Sequence, residues 1–205
     1  MEPQLTIVLA TTNQGKLSEI KRLLSNQPVQ FKSLADFGPI PKAVEDGDTF
    51  DENAYKKASH TARVLGFPAL ADDSGLVVDA LGGEPGVHSA RYGGPGLSDA
   101  QRTELLLQNM EGVPNRSAHF ACVISLAVPT GPALTWEAEV HGEIAHAPAG
   151  ESGFGYDPVF YYPPAGKTFA QMTAEEKNAV SHRGKALAEM ASEWDKVMVW
   201  LKMHL

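Results

Sequence analysis

The chain has little sulfur chemistry, no long apolar stretch and no excess of positive charge. Its single cysteine, Cys122, excludes an intrachain disulfide. A 205-residue chain buries about 70% of the surface its unfolded form exposes, so no covalent or metal staple is needed. Cys122 lies in the apolar run Phe120–Val128 and reads as a small core residue; one reduced cysteine fits a reducing compartment. No apolar run approaches the ~20 residues of a membrane-spanning helix. The N-terminus shows no basic segment leading into an apolar core, so no secretory leader is expected, and the expected location is cytoplasmic. A formal net charge of −8 excludes the broad basic footprint of a general nucleic-acid binder. Internal repeats and low-complexity tracts are also missing. An acidic chain of this kind can hold an anionic ligand only through locally placed cations, with a metal ion as the natural supplement.

The apolar content, 43%, is ordinary for a globular protein. Leu5–Ala10 has strand character, and Lys16–Leu24 carries Leu17, Ile20, Leu23 and Leu24 at helical spacing. Thr49–Leu65 is a second helix. Ala69–Ala71 is a short apolar approach to Asp72 and Asp73, and Leu76–Leu81 a separate strand. Gly82–Gly96 reads as an ordered loop or docking surface. Ser98–Met110 is a capped helix, and Ala118–Val128 and Leu134–Ile144 form a hairpin. Val159–Tyr162 is a short strand, and the rest is helical, opened by a capping box of Thr173 and Glu176. Early alternation, then clustered strands, then closing helices predict an α/β protein with a mixed sheet.

Several segments carry chemistry. Thr11-Thr12-Asn13-Gln14-Gly15-Lys16 joins a strand to a helix, where free N–H groups and the helix dipole favour an anion. It lacks the first glycine of a Walker A loop, and Leu17 stands where that loop has Ser or Thr. Taken alone, it equally suits a polar connection. Carboxylates gather at Glu45, Asp46, Asp48, Asp51 and Glu52, and again at Asp72-Asp73; magnesium asks for a few carboxylates plus phosphate oxygens and water. At a strand terminus only one of Asp72 and Asp73 should aim into a site, leaving the other to brace the loop. In Gly153-Phe154-Gly155-Tyr156-Asp157, glycines beside a ring suit a flat ligand and the carboxylate suits a base edge. Lys177, His182 and Arg183 would not share a face of one continuous helix, since five or six residues turn about 120–140° away. If all three serve one site, the helix must break near Ser181.

These segments together resemble the HAM1/RdgB family of non-canonical purine nucleoside triphosphate pyrophosphatases, also called inosine triphosphate pyrophosphatases. The resemblance runs nearly end to end, through Phe50-Asp51-Glu52-Asn53-Ala54 with Lys57, Ala71–Leu76, Gly82–Gly86, Ser89–Tyr92, Gly153–Pro158 and Ser181–Gly184. It implies a single ITPase-like domain over residues 1–205: an elongated mixed sheet with flanking helices, forming two lobes around a central cleft. It implies a homodimer, Mg2+, and hydrolysis of ITP, dITP and XTP to the monophosphate and pyrophosphate. It places Thr11, Thr12, Asn13, Gln14, Gly15, Lys16 and Ser74 on the substrate. Phe154, Gly155, Tyr156, Asp157, Lys177, His182 and Arg183 fall on the nucleotide. Glu45 and Asp73 fall at the metal, with Asp73 as proton acceptor. The family usually has glycine where this chain has Thr12, so a positive φ there would be strained. On this reading Lys16 and Lys177, and less directly Lys57, neutralise the leaving pyrophosphate, and Asp157 with His182 or Arg183 selects keto purines. A non-catalytic nucleotide sensor and a terminal phosphatase compete with this reading, and the released product separates them. Maf-type pyrophosphatases share the general chemistry, but their serine- and arginine-rich start is absent here.

Overall fold

The computed structural model describes residues 5–205. Strands β1 (Thr6–Leu9), β2 (Gln30–Ser33), β3 (Ala69–Val78), β4 (Ser117–Ala127), β5 (Ala133–Ile144), β6 (Phe160–Tyr162) and β7 (Lys167–Thr168) form one seven-stranded sheet of order β2-β1-β3-β4-β5-β6-β7. β1 is parallel to β2 and β3, with Thr6 opposite Gln30 and Val8 opposite Ala69, whereas β6 is antiparallel to β5 and β7. The sheet is therefore mixed, as expected. The helices are α1 (Gln14–Leu23), α2 (Phe50–Leu65), α3 (Asp99–Asn109), α4 (Ala174–Val180), α5 (His182–Ser192) and α6 (Trp194–His204).

Helix starts follow local side-chain chemistry. Asn13 caps α1 by accepting from Lys16 N, and Thr49 caps α2 by accepting from Glu52 N. Ser98 with Gln101 and Thr173 with Glu176 make reciprocal capping boxes on α3 and α4. Each satisfies donors the first turn cannot pair internally, and losing one costs about 1 kcal/mol. α2 ends at Gly66, whose φ of 72° suits a residue with no Cβ.

The chain divides into two compact units. The first comprises Met1–Asp73, Cys122–Ala138 and Arg183–Leu205. One of its cores packs Ile7, Leu9, Ile20 and Leu24 with Ile124, Leu187 and Trp194. A second layer is built almost wholly of alanine: Ala58 and Ala62 of α2 meet Ala69 and Ala71 of β3 with Ala10 and Ala127. The other unit comprises Ser74–Ala121 and Glu139–His182. Its core is aromatic, with the Phe120 ring 4.7 Å from that of Phe160 and 5.9 Å from that of Phe169. Burying one such side chain stabilises by about 1.5–3 kcal/mol.

One expectation is corrected. β3 is one continuous ten-residue strand, so Asp72 and Asp73 lie in its middle rather than at a terminus. Within Gly82–Gly96, a 3-10 turn over Gly86–Arg91 follows a cis Glu84–Pro85 peptide, an ordered connection. The C-terminal stretch packs on the core through Trp194, Val197 and Leu201, and Met203 is exposed. The break at Ser181 is present: this residue is extended (φ −69°, ψ 157°), and α5 begins at His182.

Candidate active site

In the first unit, β1 delivers the chain into α1 through Thr11 and Thr12. Thr11 Oγ1 accepts from Asn13 N at 3.1 Å, and Asn13 Oδ1 accepts from Lys16 N at 3.0 Å. The N–H groups of Gln14 and Gly15, first in the helix, have no intrahelical acceptor by construction, and Lys16 follows them in the same turn, a cationic helix start of the kind suited to phosphate. Gly15 is helical and is not among the glycines of positive φ. Among the described residues every positive φ belongs to a glycine, so Thr12 is unstrained and its exposed hydroxyl is an additional polar group at the turn.

Lys16 is anchored from below. Its ammonium pairs with Asp72 Oδ1. Asp72 Oδ2 also accepts from Arg183 Nε at 3.0 Å and from Cys122 Sγ at 3.1 Å. Arg183 Nη1 pairs with Glu19, one turn beyond Lys16 on α1. The result is a chain of charges, Lys16–Asp72–Arg183–Glu19, in which the Asp72 side chain is 0% and the Arg183 side chain 2% exposed. Burial pulls the guanidinium downward, but Asp72 and Glu19 outweigh it and hold Arg183 above its ordinary value. Asp72 therefore braces an ion network rather than a loop, and the guanidinium expected on the nucleotide is engaged with two carboxylates. Sequence reasoning did not identify Glu19 or the contact of Cys122. The only available signal was the i,i+3 spacing of Lys16 and Glu19 on one helix face.

Asp73 points the other way, as strand alternation requires. Its Oδ1 accepts from Lys57 Nζ of α2 at 2.6 Å, and Glu45 Oε2 lies 3.1 Å from the same nitrogen. Burial raises the Asp73 pKa more than Lys57 and Lys16 lower it. For Lys57, burial is outweighed by Asp73 and Glu45, and the net shift is upward. Glu45 and Asp73 thus converge on a single cationic nitrogen. That convergence fits a divalent ion held by two carboxylates. Among the described residues no three His, Cys, Asp or Glu side chains gather in metal-holding geometry. The remaining ligands would have to be phosphate oxygens and water, a pattern Mg2+ favours.

In the second unit, Asp157 is buried and Oδ2 accepts from Lys177 Nζ at 2.6 Å and from Phe154 N at 2.9 Å. Lys177 Nζ lies 4.6 Å from the centre of the Phe154 ring, a cation–π approach. Gly153 has φ 77°, and a Cβ there would collide with the Asp157 carboxylate. Gly155 N donates to Asp99 at 3.1 Å, and Tyr156 is a buried strut whose hydroxyl donates to Ser89 O at 3.0 Å. The His182 ring stacks on Phe120 with centroids 4.6 Å apart. Ser74 follows Asp73 on β3 and is half-buried. His182 and Arg183, adjacent in sequence, thus send their side chains to different neighbours: one to an aromatic core, the other to the ion network.

A mixed sheet with flanking helices, a cationic helix start and a lysine-braced buried carboxylate defines the class as an α/β protein. The chain belongs to the Ham1 family, whose sequence profile matches residues 7–193. It is 62% identical over 195 residues to the dITP/XTP pyrophosphatase of Syntrophobacter fumaroxidans, covering 95% of this chain and 84% of that protein. Identity to the dITP/XTP pyrophosphatase of Desulfotalea psychrophila is 57% over 199 residues, 97% and 89% of the two chains. Among solved structures it is similar to a HAM1 protein from Coxiella burnetii, with a TM-score of 0.86 and 44% identity over 94% of this chain and 99% of that one. It is also similar to the Staphylococcus aureus Ham1 protein, with a TM-score of 0.84 and 40% identity over 93% and 98% of the two chains. Among the described residues no helix is long and apolar enough to cross a membrane.

Proposed function

We propose that this chain hydrolyses non-standard purine nucleoside triphosphates, ITP, dITP and XTP, to the monophosphate and pyrophosphate. The observation that carries the chemistry is Asp73: a buried carboxylate with a raised pKa, held in place by Lys57, on the strand whose preceding residue anchors Lys16. A carboxylate of raised pKa accepts a proton more readily. Asp73 orients water and takes its proton as the water oxygen bonds to the α-phosphorus. The bond from that phosphorus to the bridging oxygen breaks, and pyrophosphate leaves with the bond electrons. Lys16 and the N-terminus of α1 bind the phosphates and offset charge on the leaving group. Glu45 and Asp73 are the residues that would hold Mg2+, which when bound offsets charge on the phosphate oxygens.

Phe154 supplies a face for the base, and Asp157 with Lys177 reads its edge. Hypoxanthine and xanthine present an N1–H donor and an O6 acceptor, which suit a carboxylate and an ammonium; adenine reverses both. A mismatched base leaves buried polar groups unpaired, the usual source of strong discrimination. Lys177 is thus read as a base-side residue, while Arg183 acts as a positioning residue for Asp72 and Lys16. Residues 1–205 act as one catalytic domain, as a homodimer in the cytoplasm, in keeping with the family resemblance and a nucleotide-pool substrate. Sedimentation analysis tests the dimer.

Product identification tests the reaction. ITP should yield pyrophosphate and IMP, and Asp73→Asn should lower turnover by orders of magnitude while leaving ITP binding largely intact. Orthophosphate as first product, or near wild-type turnover in Asp73→Asn, refutes it.

A further inference from the structure

Strands β4 and β5 carry a pair of histidines that the pyrophosphatase chemistry does not use. The hairpin register follows from its two ends. Val128 N donates to Pro132 O at 3.1 Å, and Ile144 N donates to Arg116 O at 2.8 Å. Both bonds imply the same offset, which sets His119 directly opposite His141. The hydrogen-bonded positions fall on even-numbered residues of β4, so the histidines occupy a non-hydrogen-bonded pair, where opposed side chains stand closest. Their rings are 5.2 Å apart. Glu139, two residues from His141 on the same face of β5, faces both: its Oε1 lies 3.9 Å from His119 Nε2 and its Oε2 lies 3.6 Å from His141 Nε2. The alternate residues Phe120, Val140 and Ile144 point into the aromatic core, so the backbone beneath the pair is fixed by packing.

From this arrangement we infer a transition-metal site: His119 and His141 chelate one borderline divalent ion of the Zn2+ class, with Glu139 as third ligand. Two imidazoles and a carboxylate suit Zn2+, Ni2+ or Cu2+ and are a poor set for Mg2+, which prefers an all-oxygen shell. The site is therefore chemically distinct from the carboxylate pair Glu45 and Asp73. The three side chains are not already drawn to coordination distance, as no three-residue metal cluster is present among the described residues. Closure is a matter of rotamers: the His119 side chain is 21% exposed and serves as the anchor, the His141 side chain, 78% exposed, has room to turn, and the Glu139 oxygens already lie 3.9 and 3.6 Å from the two Nε2 atoms. Glu137 and Glu143 fall on the same exposed face of β5 and make the approach favourable to a cation.

The test is calorimetric titration of chelator-treated full-length protein with ZnCl2 in excess Mg2+, together with thermal unfolding with and without Zn2+. One Zn2+ per chain should bind saturably and raise the unfolding temperature. His141→Gln, at an exposed position that leaves the fold intact, should weaken binding on the order of tenfold or more and abolish the thermal shift, because losing even an outer-shell partner of a metal site costs about that much. His119→Gln should do the same, Glu139→Gln should have a smaller effect, and Asp73→Asn should leave Zn2+ binding unchanged. No saturable binding, binding undiminished in His141→Gln, or binding that disappears with Asp73→Asn overturns the assignment.

Discussion

Replacing Arg183 with methionine separates a positioning residue from a base-reading one. The guanidinium donates to Asp72 through Nε at 3.0 Å and Nη2 at 3.5 Å, and its Nη1 pairs with Glu19. The Asp72 side chain has no exposed surface, so Arg183→Met deprives a fully buried carboxylate of its guanidinium while leaving its pair with Lys16 in place. Breaking a buried pair on one side costs about 3–5 kcal/mol. For a chain of this size 1 kcal/mol shifts the midpoint by about 2–4 °C, giving a drop of roughly 6–20 °C in thermal unfolding. Removing both partners in Arg183→Met/Asp72→Asn should recover part of that loss, with a coupling energy of about 1–3 kcal/mol from the double-mutant cycle. In steady-state assays KM for ITP should rise, because Asp72, which anchors Lys16, loses its own brace and draws the ammonium toward itself, while the ratio of ITP to ATP hydrolysis stays nearly unchanged. A midpoint within about 2 °C of wild type, less than the shift expected from 1 kcal/mol, combined with a collapse of ITP over ATP preference, would refute the positioning role and put the guanidinium on the base.

Further outcomes follow from single features. Gly153→Ala forces both a positive φ of 77° and a collision with the Asp157 carboxylate, so KM for ITP should rise at least several-fold; unchanged steady-state constants would count against the placement of Asp157. Asp157→Asn removes the carboxylate facing Lys177 and should narrow the preference for ITP over ATP, read from paired kcat/KM values. In metal-free protein, carboxyl NMR should show Asp73 titrating above the ordinary aspartate range, because burial dominates its environment. The sign is that of a base lost as pH falls through that raised value, since only the ionised form accepts a proton. Thr12 has no positive φ to relieve, so Thr12→Gly should not stabilise the protein. It should lower the unfolding midpoint slightly through the added freedom of the unfolded chain, an effect of about 0.4–1 kcal/mol.

Features decided within a few residues were legible in the sequence. Ser98 and Thr173 start helices because their side chains satisfy N–H groups three positions on, and Ser181 breaks the last helices as the condition of a shared site required; Asn13 does the same for α1 but lay inside a segment read as a turn. The continuity of β3 was not legible. Asp72-Asp73-Ser74-Gly75 has the composition of a turn, yet it forms the middle of a strand. Lysines of α1 and α2 and an arginine of α5 neutralise the carboxylates there, and nothing local announces them. The partner of Arg183 lies 111 residues away, so the motif that contains Arg183 could not reveal that its side chain turns toward Asp72. The two histidines of β4 and β5 were overlooked for the same reason: their proximity exists only once the hairpin register is known.

The alanine layer between α2 and the sheet has a consequence for precision. Lys57 precedes Ala58 on α2, and Ala58 and Ala62 sit against Ala69 and Ala71 of β3, the strand that carries Asp73. The height of the helix above the strand is set by opposed methyl groups, the smallest side chains that still fill space. One added methylene would lift the helix, because close-packed interiors yield little, and the lysine would be carried away from the carboxylate it holds. The geometry of the proton acceptor is thus gauged by uncharged residues that never meet the nucleotide, and drift at those positions would reach the chemistry without altering a single polar group.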